Sequence, residues 1–399
     1  RVFPGGCQVG QSLLVKVSGS SLEGLSALRC NHLGVVFQHR EKDQFQVTVA
    51  AGTPTGTYDV QAITAHGISS TRSFYVTGRP LVVEKPAPAG ESSEVTQVRL
   101  NDVICGEIAS AGEVDEYRLA VEAGQQLVVE CWTHRLDSSL RAILELVDER
   151  GQRVASSRGF FGVDPALAYR VPRSGEYRIR VHDLVYGGSS DHFYRLDVGS
   201  GPRVLFCRPA VLQRGKTTRV TLHGWNLAEP VAGDSPGTYS RQVVEITPPV
   251  NSLPATGFRS PAAVAVDCFS YHVPGIDTPL VLGLTDVPVV LDAGSNRTAE
   301  TAQPMEVPSE VSGQLTAGNE RDWYRITARR GEVFYVEGFA QRIGSPADLD
   351  VSIMDQAGKQ ELAHYRDELL NIGGLRFPSN HLDPSGRWVA PADGDYRVV

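Results

Sequence analysis

The run Gly233-Asp234-Ser235-Pro236-Gly237 has the G-x-S-x-G spacing that presents a serine nucleophile in hydrolases. Such a turn needs a strand before the serine and a helix after it, so that the hydroxyl is held exposed. Here Pro236 follows the serine, and the next residues, GTYSRQVVEI (237–246), read as a turn and a strand. The nearest histidines, His223 and His272, belong to no triad motif. Ser235 therefore reads as a turn residue in a loop, and no catalytic residue is assigned. The alternative is a fragment of a secreted hydrolase, with its catalytic domain outside this chain or with Ser235 as nucleophile.

Other polar residues can be weighed the same way. Asp348, Asp350 and Asp355 offer oxygen ligands to calcium, but the earlier copy of that segment has Arg141 and Ile143 where Asp348 and Asp350 stand. Asp115 and Asp322, and Asp148 and Asp355, occupy matching positions beside turns or strand starts, where a carboxylate accepts backbone N–H groups. His182-Asp183 and Asp191 bracket a loop and read as its closure. The four tryptophans, Trp132, Trp225, Trp323 and Trp388, read as core residues more readily than as sugar platforms. No cofactor is called for, calcium is the one ion considered, and no metal-ligating or ligand-binding residue is assigned. Asn296-Arg297-Thr298 is a glycosylation sequon.

The elements around these residues are short. Of 399 residues, 41% are apolar and 21% charged, with 40 glycines and 24 prolines. That composition suits strands joined by turns in several domains. Net charge is −8 without a basic stripe, which argues against nucleic-acid binding. No apolar run approaches the roughly 20 residues of a membrane-spanning helix. In GEYRIRV (175–181), Tyr177, Ile179 and Val181 should point inward while Arg178 and Arg180 face water. Residues 367–370 are the one helical candidate. The six cysteines fall in pairs, Cys7 with Cys30, Cys105 with Cys131, and Cys207 with Cys268, and show no zinc spacing. One disulfide per module and free buried thiols both remain open.

The chain repeats itself. CGEIASAGEVDEYRLAVEAGQQLVVE from Cys105 returns as SGQLTAGNERDWYRITARRGEVFYVE from Ser312, with Gly106 on Gly313, Tyr117 on Tyr324, Glu130 on Glu337 and Arg135 on Arg342. The preceding segments also match, Gly10 with Gly215 and Gly19 with Gly224. The order is A-B-A-B: an A module at 1–80, a linker at 81–95, a B module at 96–200, an A module with an inserted loop at 201–291, a linker at 292–307 and a B module at 308–399. The second B module corresponds to the first only as far as Arg180, so it is expected to lack a strand or two and to be the less stable copy.

The B modules resemble bacterial pre-peptidase C-terminal (PPC) domains. The resemblance lies in VDEYRLAVEAGQQLVVE, LELVDERGQ and VPRSGEYRI, and in their second copies. The A modules, through VGQSLLVKVSGSSL and RGKTTRVTLHGWNL, resemble immunoglobulin-like IPT/TIG modules. The fold class expected is all-β, as tandem β-sandwiches of immunoglobulin-like and jelly-roll-like PPC type. By resemblance, the chain is a non-catalytic extracellular or periplasmic binding and spacer array, accessory to a secreted bacterial protein. Its expected partners are an extracellular polysaccharide, the cell envelope or a matrix protein.

Overall fold

The structure is a computed structural model and describes residues 1–85, 95–160, 162–230, 239–251, 266–372, 374 and 379–399. Its elements are almost all strands. Alternation decides which side chains go inside: in Gly175–Asp183, Tyr177, Ile179 and Val181 are buried, while Arg178 and Arg180 turn outward onto Glu116.

The strands form sandwiches in tandem, here A1, B1, A2 and B2. In A1, one sheet runs in the order Val2–Phe3, Ser12–Val17, Gln44–Val49, Val35–Glu41, and the other Gly6–Gln8, Arg72–Thr77, Gly56–Thr64, Ala27–Cys30. Val15, Phe45, Val47, Tyr58 and Phe74 fill the space between them. A2 uses the same plan, with Leu212, Val220, Leu222, Phe269 and Leu282 inside. In both, a three-residue strand runs parallel to the last strand, Gly6–Gln8 beside Arg72–Thr77 and Val211–Gln213 beside Leu280–Thr285.

B1 is the largest core. One sheet has the order Leu81–Val83, Val103–Glu107, Phe193–Gly199, Gln126–Trp132, Ala166–Arg170; the other is Thr96–Gln97, Asp115–Val121, Gly175–Asp183, Ala142–Val147, Arg153–Ser157. Leu81–Val83, read from sequence as linker, is an edge strand paired parallel to Val103–Glu107. Three residues are too few to show a period. Residues 367–370 contain no described helix: Asp367–Glu368 is a strand paired with His381–Val389. Among the described residues, short helical turns lie at His134–Leu136 and Gln341–Ile343.

No two of the cysteines are joined by a disulfide among the described residues. The topology explains why. Cys7 and Cys30 lie on strands with two others between them, a separation of about 14 Å at ordinary strand spacing. Cys105 and Cys131 flank Phe193–Gly199 and face opposite sides of their sheet, Cys131 inward with Leu196 and Cys105 outward with Trp132 and Phe193. Cys207 and Cys268 belong to different sheets.

B2 differs from B1 in one joint. In B1, Phe193–Gly199 bonds Val103–Glu107 on one side and Gln126–Trp132 on the other. In B2 the matching strands stay apart, as a ladder of Val289–Leu291 with Glu310–Ser312 and a sheet of Val333–Glu337, His381–Val389 and Asp367–Glu368. A strand bonded on one side opens more readily than one bonded on both. Amide hydrogen exchange should therefore show Val333–Glu337 losing protection before Gln126–Trp132. Slower exchange in B2 would contradict this reading.

Candidate functional site: the junction of three modules

The charged residues that position the modules lie on the outer face of B1's first sheet. Along Phe193–Gly199, Tyr194, Leu196 and Val198 enter the core, so Arg195 and Asp197 emerge together on the other face. There they are covered by A1 and A2, and both are buried. Arg195 grips Asp197 with two parallel bonds, Nε to Oδ1 at 2.8 Å and Nη2 to Oδ2 at 3.0 Å. Its guanidinium lies between aromatic rings, 4.9 Å from the Tyr75 centroid of A1 and 4.8 Å from that of Trp132.

Two more arginines reach the same carboxylate. Arg79, at the end of A1, places Nη2 2.6 Å from Asp197 Oδ2, and Arg203, at the start of A2, places Nη2 3.2 Å from it. Burial works to raise the Asp197 pKa, but Arg195, Arg79 and Arg203 outweigh it and hold the carboxyl far below the usual carboxylate range. The second anion is Asp277 of A2. Its Oδ1 accepts the Gly78 N–H at 2.7 Å, and its Oδ2 accepts the Thr77 hydroxyl at 2.8 Å and Arg195 Nη2 at 3.3 Å. One carboxylate thus joins A1, B1 and A2.

Behind this network stands a clasp present in both B modules. Asp164 accepts N–H bonds from Thr133 and His134 and the Nε of Arg135, whose Nη1 bonds Glu130 at 2.7 Å. In B2, Asp383 accepts from Ala340, Gln341 and Arg342, and Arg342 Nη1 bonds Glu337 at 2.7 Å. In each copy the carboxylate closes the short helical turn. Burial pushes the Asp383 carboxyl up, but Arg342 and the backbone amides more than compensate and hold it below its ordinary value. In B1 alone, Glu130 also faces Arg203 at 3.5 Å, which ties the clasp to A2.

Apolar contacts complete the docking. Trp225 of A2 packs on Val128 and Ala166 of B1, and Asn226 Nδ2 donates to the Gln126 and Ser200 carbonyls at 3.1 and 3.0 Å. The contact between each A module and the B module after it repeats: the Gly5 N–H donates to Cys105 Sγ at 3.4 Å, and the Ala210 N–H to Ser312 Oγ at 3.1 Å. Beside this contact in B1 lies a second buried cluster. The Tyr117 and Tyr194 hydroxyls are 2.6 Å apart, Tyr194 also reaches Asp115, and Glu84 accepts the Glu107 N–H at 3.1 Å. Gly106 makes room for it, since a Cβ there would lie 2.4 Å from the Tyr194 ring and 2.6 Å from Glu84 Oε2. Burial, then the neighbouring Asp115 charge, pushes the Glu84 carboxyl up to about 8.

Of the residues singled out from sequence, Trp132 and Trp225 belong to the junction and most of the others fall elsewhere. Ser235 lies outside the described residues. Asp148 and Asp355 close turns through backbone N–H groups, as expected, whereas Asp115 meets the Tyr194 hydroxyl and Asp322 meets Arg297. Asp350 faces His364 and Arg366. Asp183 accepts the N–H groups of Arg141, Val185 and Gly187, which closes its loop. The sequon residue Asn296 is buried and donates to the Trp323 carbonyl. All four tryptophans are buried. Sequence reading missed Asp197, Asp277, Arg79, Arg195 and Arg203. One signal was available: Arg195 and Asp197 stand two apart on a strand whose other face is wholly apolar or aromatic.

Comparison with known proteins finds no matching family model and no matching curated sequence. Solved structures with similar chains include the pre-peptidase C-terminal domain of collagenase from Bacillus anthracis, 17% identical over 29% of this chain and 99% of that one, with a TM-score of 0.23. Another is the Aeromonas hydrophila PliG, a periplasmic lysozyme inhibitor of g-type lysozyme, 16% identical over 30% of this chain and 97% of that one, TM-score 0.20. A third is CBM51-2 in complex with GlcNAc and INT domains from Clostridium perfringens ZmpB, 14% identical over 42% of this chain and 40% of that one, TM-score 0.19.

Two measurements probe the junction. Asp277→Asn removes the charge that Arg195 shares and should destabilise the protein by about 1–3 kcal/mol. Small-angle scattering should show a larger radius of gyration as A2 separates from A1; an unchanged profile and melting temperature would refute the latch. Glu84 has a raised native pKa, so its contribution to stability is complete below the unfolded value of about 4.5 and fades as pH rises through about 8. Glu84→Gln should therefore flatten the fall in melting temperature between pH 5 and 8, which thermal scans across that range will check.

Proposed function

We propose that the chain is a non-catalytic accessory array of a secreted protein, a binding and spacer unit in which PPC-like sandwiches alternate with IPT/TIG-type ones. The observation that carries this reading is the shared ion network. It holds A1, B1 and A2 as one body, so their outer loops and sheet faces keep fixed relative positions. Weak contacts made from fixed positions add through effective concentration, without a catalytic group. No described helix is long and apolar enough to cross a membrane. The ligand class favoured is an extracellular polysaccharide, a cell-envelope polymer or a matrix protein.

The test is co-sedimentation of the 399-residue protein with cellulose, chitin, peptidoglycan and collagen, each in calcium and in chelator. Retention on one matrix, equal in Ser235→Ala, is the expected result. Hydrolysis of a matrix that disappears in Ser235→Ala would overturn the reading in favour of an enzyme.

A further inference from the structure

The three modules leave a cleft of about 440 Å³ beside the ion network, lined by Arg79 of A1, Asn101 and Val128 of B1, and Arg203, Ile276 and the carboxylate of Asp277 of A2 among others. Pockets between domains with a few convergent polar groups on apolar walls are the usual place for small ligands, and this volume is within their range.

The two arginines are only partly used. Arg79 turns Nη2 to Asp197 at 2.6 Å and Nε toward Asp277 at 3.6 Å; Arg203 turns Nη2 to Asp197 at 3.2 Å and Nε toward Glu130 at 3.5 Å. Among the described residues neither Nη1 meets a partner, and neither is among the atoms sealed from solvent without one. Both Nη1 groups therefore keep donor capacity, on two side chains that line the cleft. The charge balance agrees. Three guanidiniums, those of Arg79, Arg195 and Arg203, share Asp197 and Asp277, while Glu130 is held mainly by Arg135 at 2.7 Å. The network as a whole is balanced, Arg79, Arg135, Arg195 and Arg203 against Asp164, Asp197, Asp277 and Glu130, but among the charged groups that line the cleft Arg79 and Arg203 face the single carboxylate of Asp277. Burial, together with the fields of Arg79 and Arg195, exceeds the pull of the carboxylates and lowers the pKa of Arg203.

We propose that this cleft binds a small organic anion, one carboxylate on a body of about monosaccharide size, through the Nη1 groups of Arg79 and Arg203. Guanidinium edges match the plane of a carboxylate and hold it more strongly than a neutral group. Val128, Pro202 and Ile276 form the apolar wall, and Asn101 offers its carboxamide at the rim. Because the lining comes from three modules, an occupied cleft also strengthens their docking by mass action.

The test uses isothermal titration calorimetry and thermal melting of the full chain with glucuronate, with glucose as its neutral counterpart, and with inorganic phosphate. Glucuronate should bind at least about tenfold more tightly than glucose and raise the melting temperature, and phosphate should compete with it. Arg203→Gln should abolish binding, but it also strips a partner from buried Asp197. Asn101→Asp is therefore the companion variant: it places a negative charge at the exposed rim and leaves the ion network intact. It should weaken glucuronate about tenfold, with the ligand-free melting temperature unchanged. Equal affinity for glucuronate and glucose, no binding of either, phosphate that binds without competing, or glucuronate affinity untouched by Asn101→Asp would each overturn the proposal. None of these outcomes bears on the matrix-binding test, so the two readings stand or fall separately.

Discussion

A carboxylate buried in the middle of a strand constrains everything around it. Removing Asp197 from water costs several kcal/mol, and Arg195 beside it costs as much again. Their mutual pairing leaves oxygens and N–H groups that still need partners, and these come from other modules. Arg79 arrives from A1, Arg203 and Asp277 from A2. B1 cannot release either neighbour without exposing or orphaning a charge that its own fold has already buried. Module docking is in this sense part of the folding of B1. An apolar interface of equal area would bind as well, but would tolerate sliding; converging guanidinium forks fix one orientation.

The junction is tied to a clasp that both B modules contain. Asp164 and Asp383, with Arg135 and Arg342, do the same local work in both B modules: they satisfy the N–H groups of a short helical turn and anchor a glutamate. In B2 that glutamate, Glu337, is half exposed and serves Arg342. In B1 its counterpart, Glu130, is buried and faces Arg203 as well. The neighbouring face diverges in the same sense. Val128 is buried under Trp225, whereas Tyr335, its counterpart in B2, is 81% exposed. In B1 the clasp is thus carried into the intermodule network by Arg203 and Trp225, which come from the module directly after it.

How much of this the sequence displays depends on the range of the interactions. Strand alternation is local, and it correctly placed Tyr177, Ile179 and Val181 inside with Arg178 and Arg180 outside. Repetition made Glu130, Arg135 and their counterparts stand out, though not what they do. The junction was hidden for a physical reason. Asp277 meets Thr77 from 200 residues away, and no period or motif links partners that distant. Arg195 and Asp197 lie on the strand of B1 that has no aligned counterpart in B2, so comparison of the copies could not flag them. The segment after Arg79 misled in the opposite direction. Leu81–Val83 are too few to show an alternation, yet they pair with Val103–Glu107 and carry Glu84 into the tyrosine cluster.

That pairing alters what sets the spacing of the array. A Pro- and Ala-rich stretch between domains suggests a tether whose length controls reach. Here the chain leaves A1 already bound to the edge of B1, and A2 packs against both. The distance from A1 to A2 is fixed by Asp277, Trp225 and Asn226, each of which contacts a surface and not a tether. Lengthening the stretch between residues 85 and 95 would leave those contacts in place, whereas a single change at Asp277 acts on three modules together. Reach in this protein is a property of buried charge more than of linker composition.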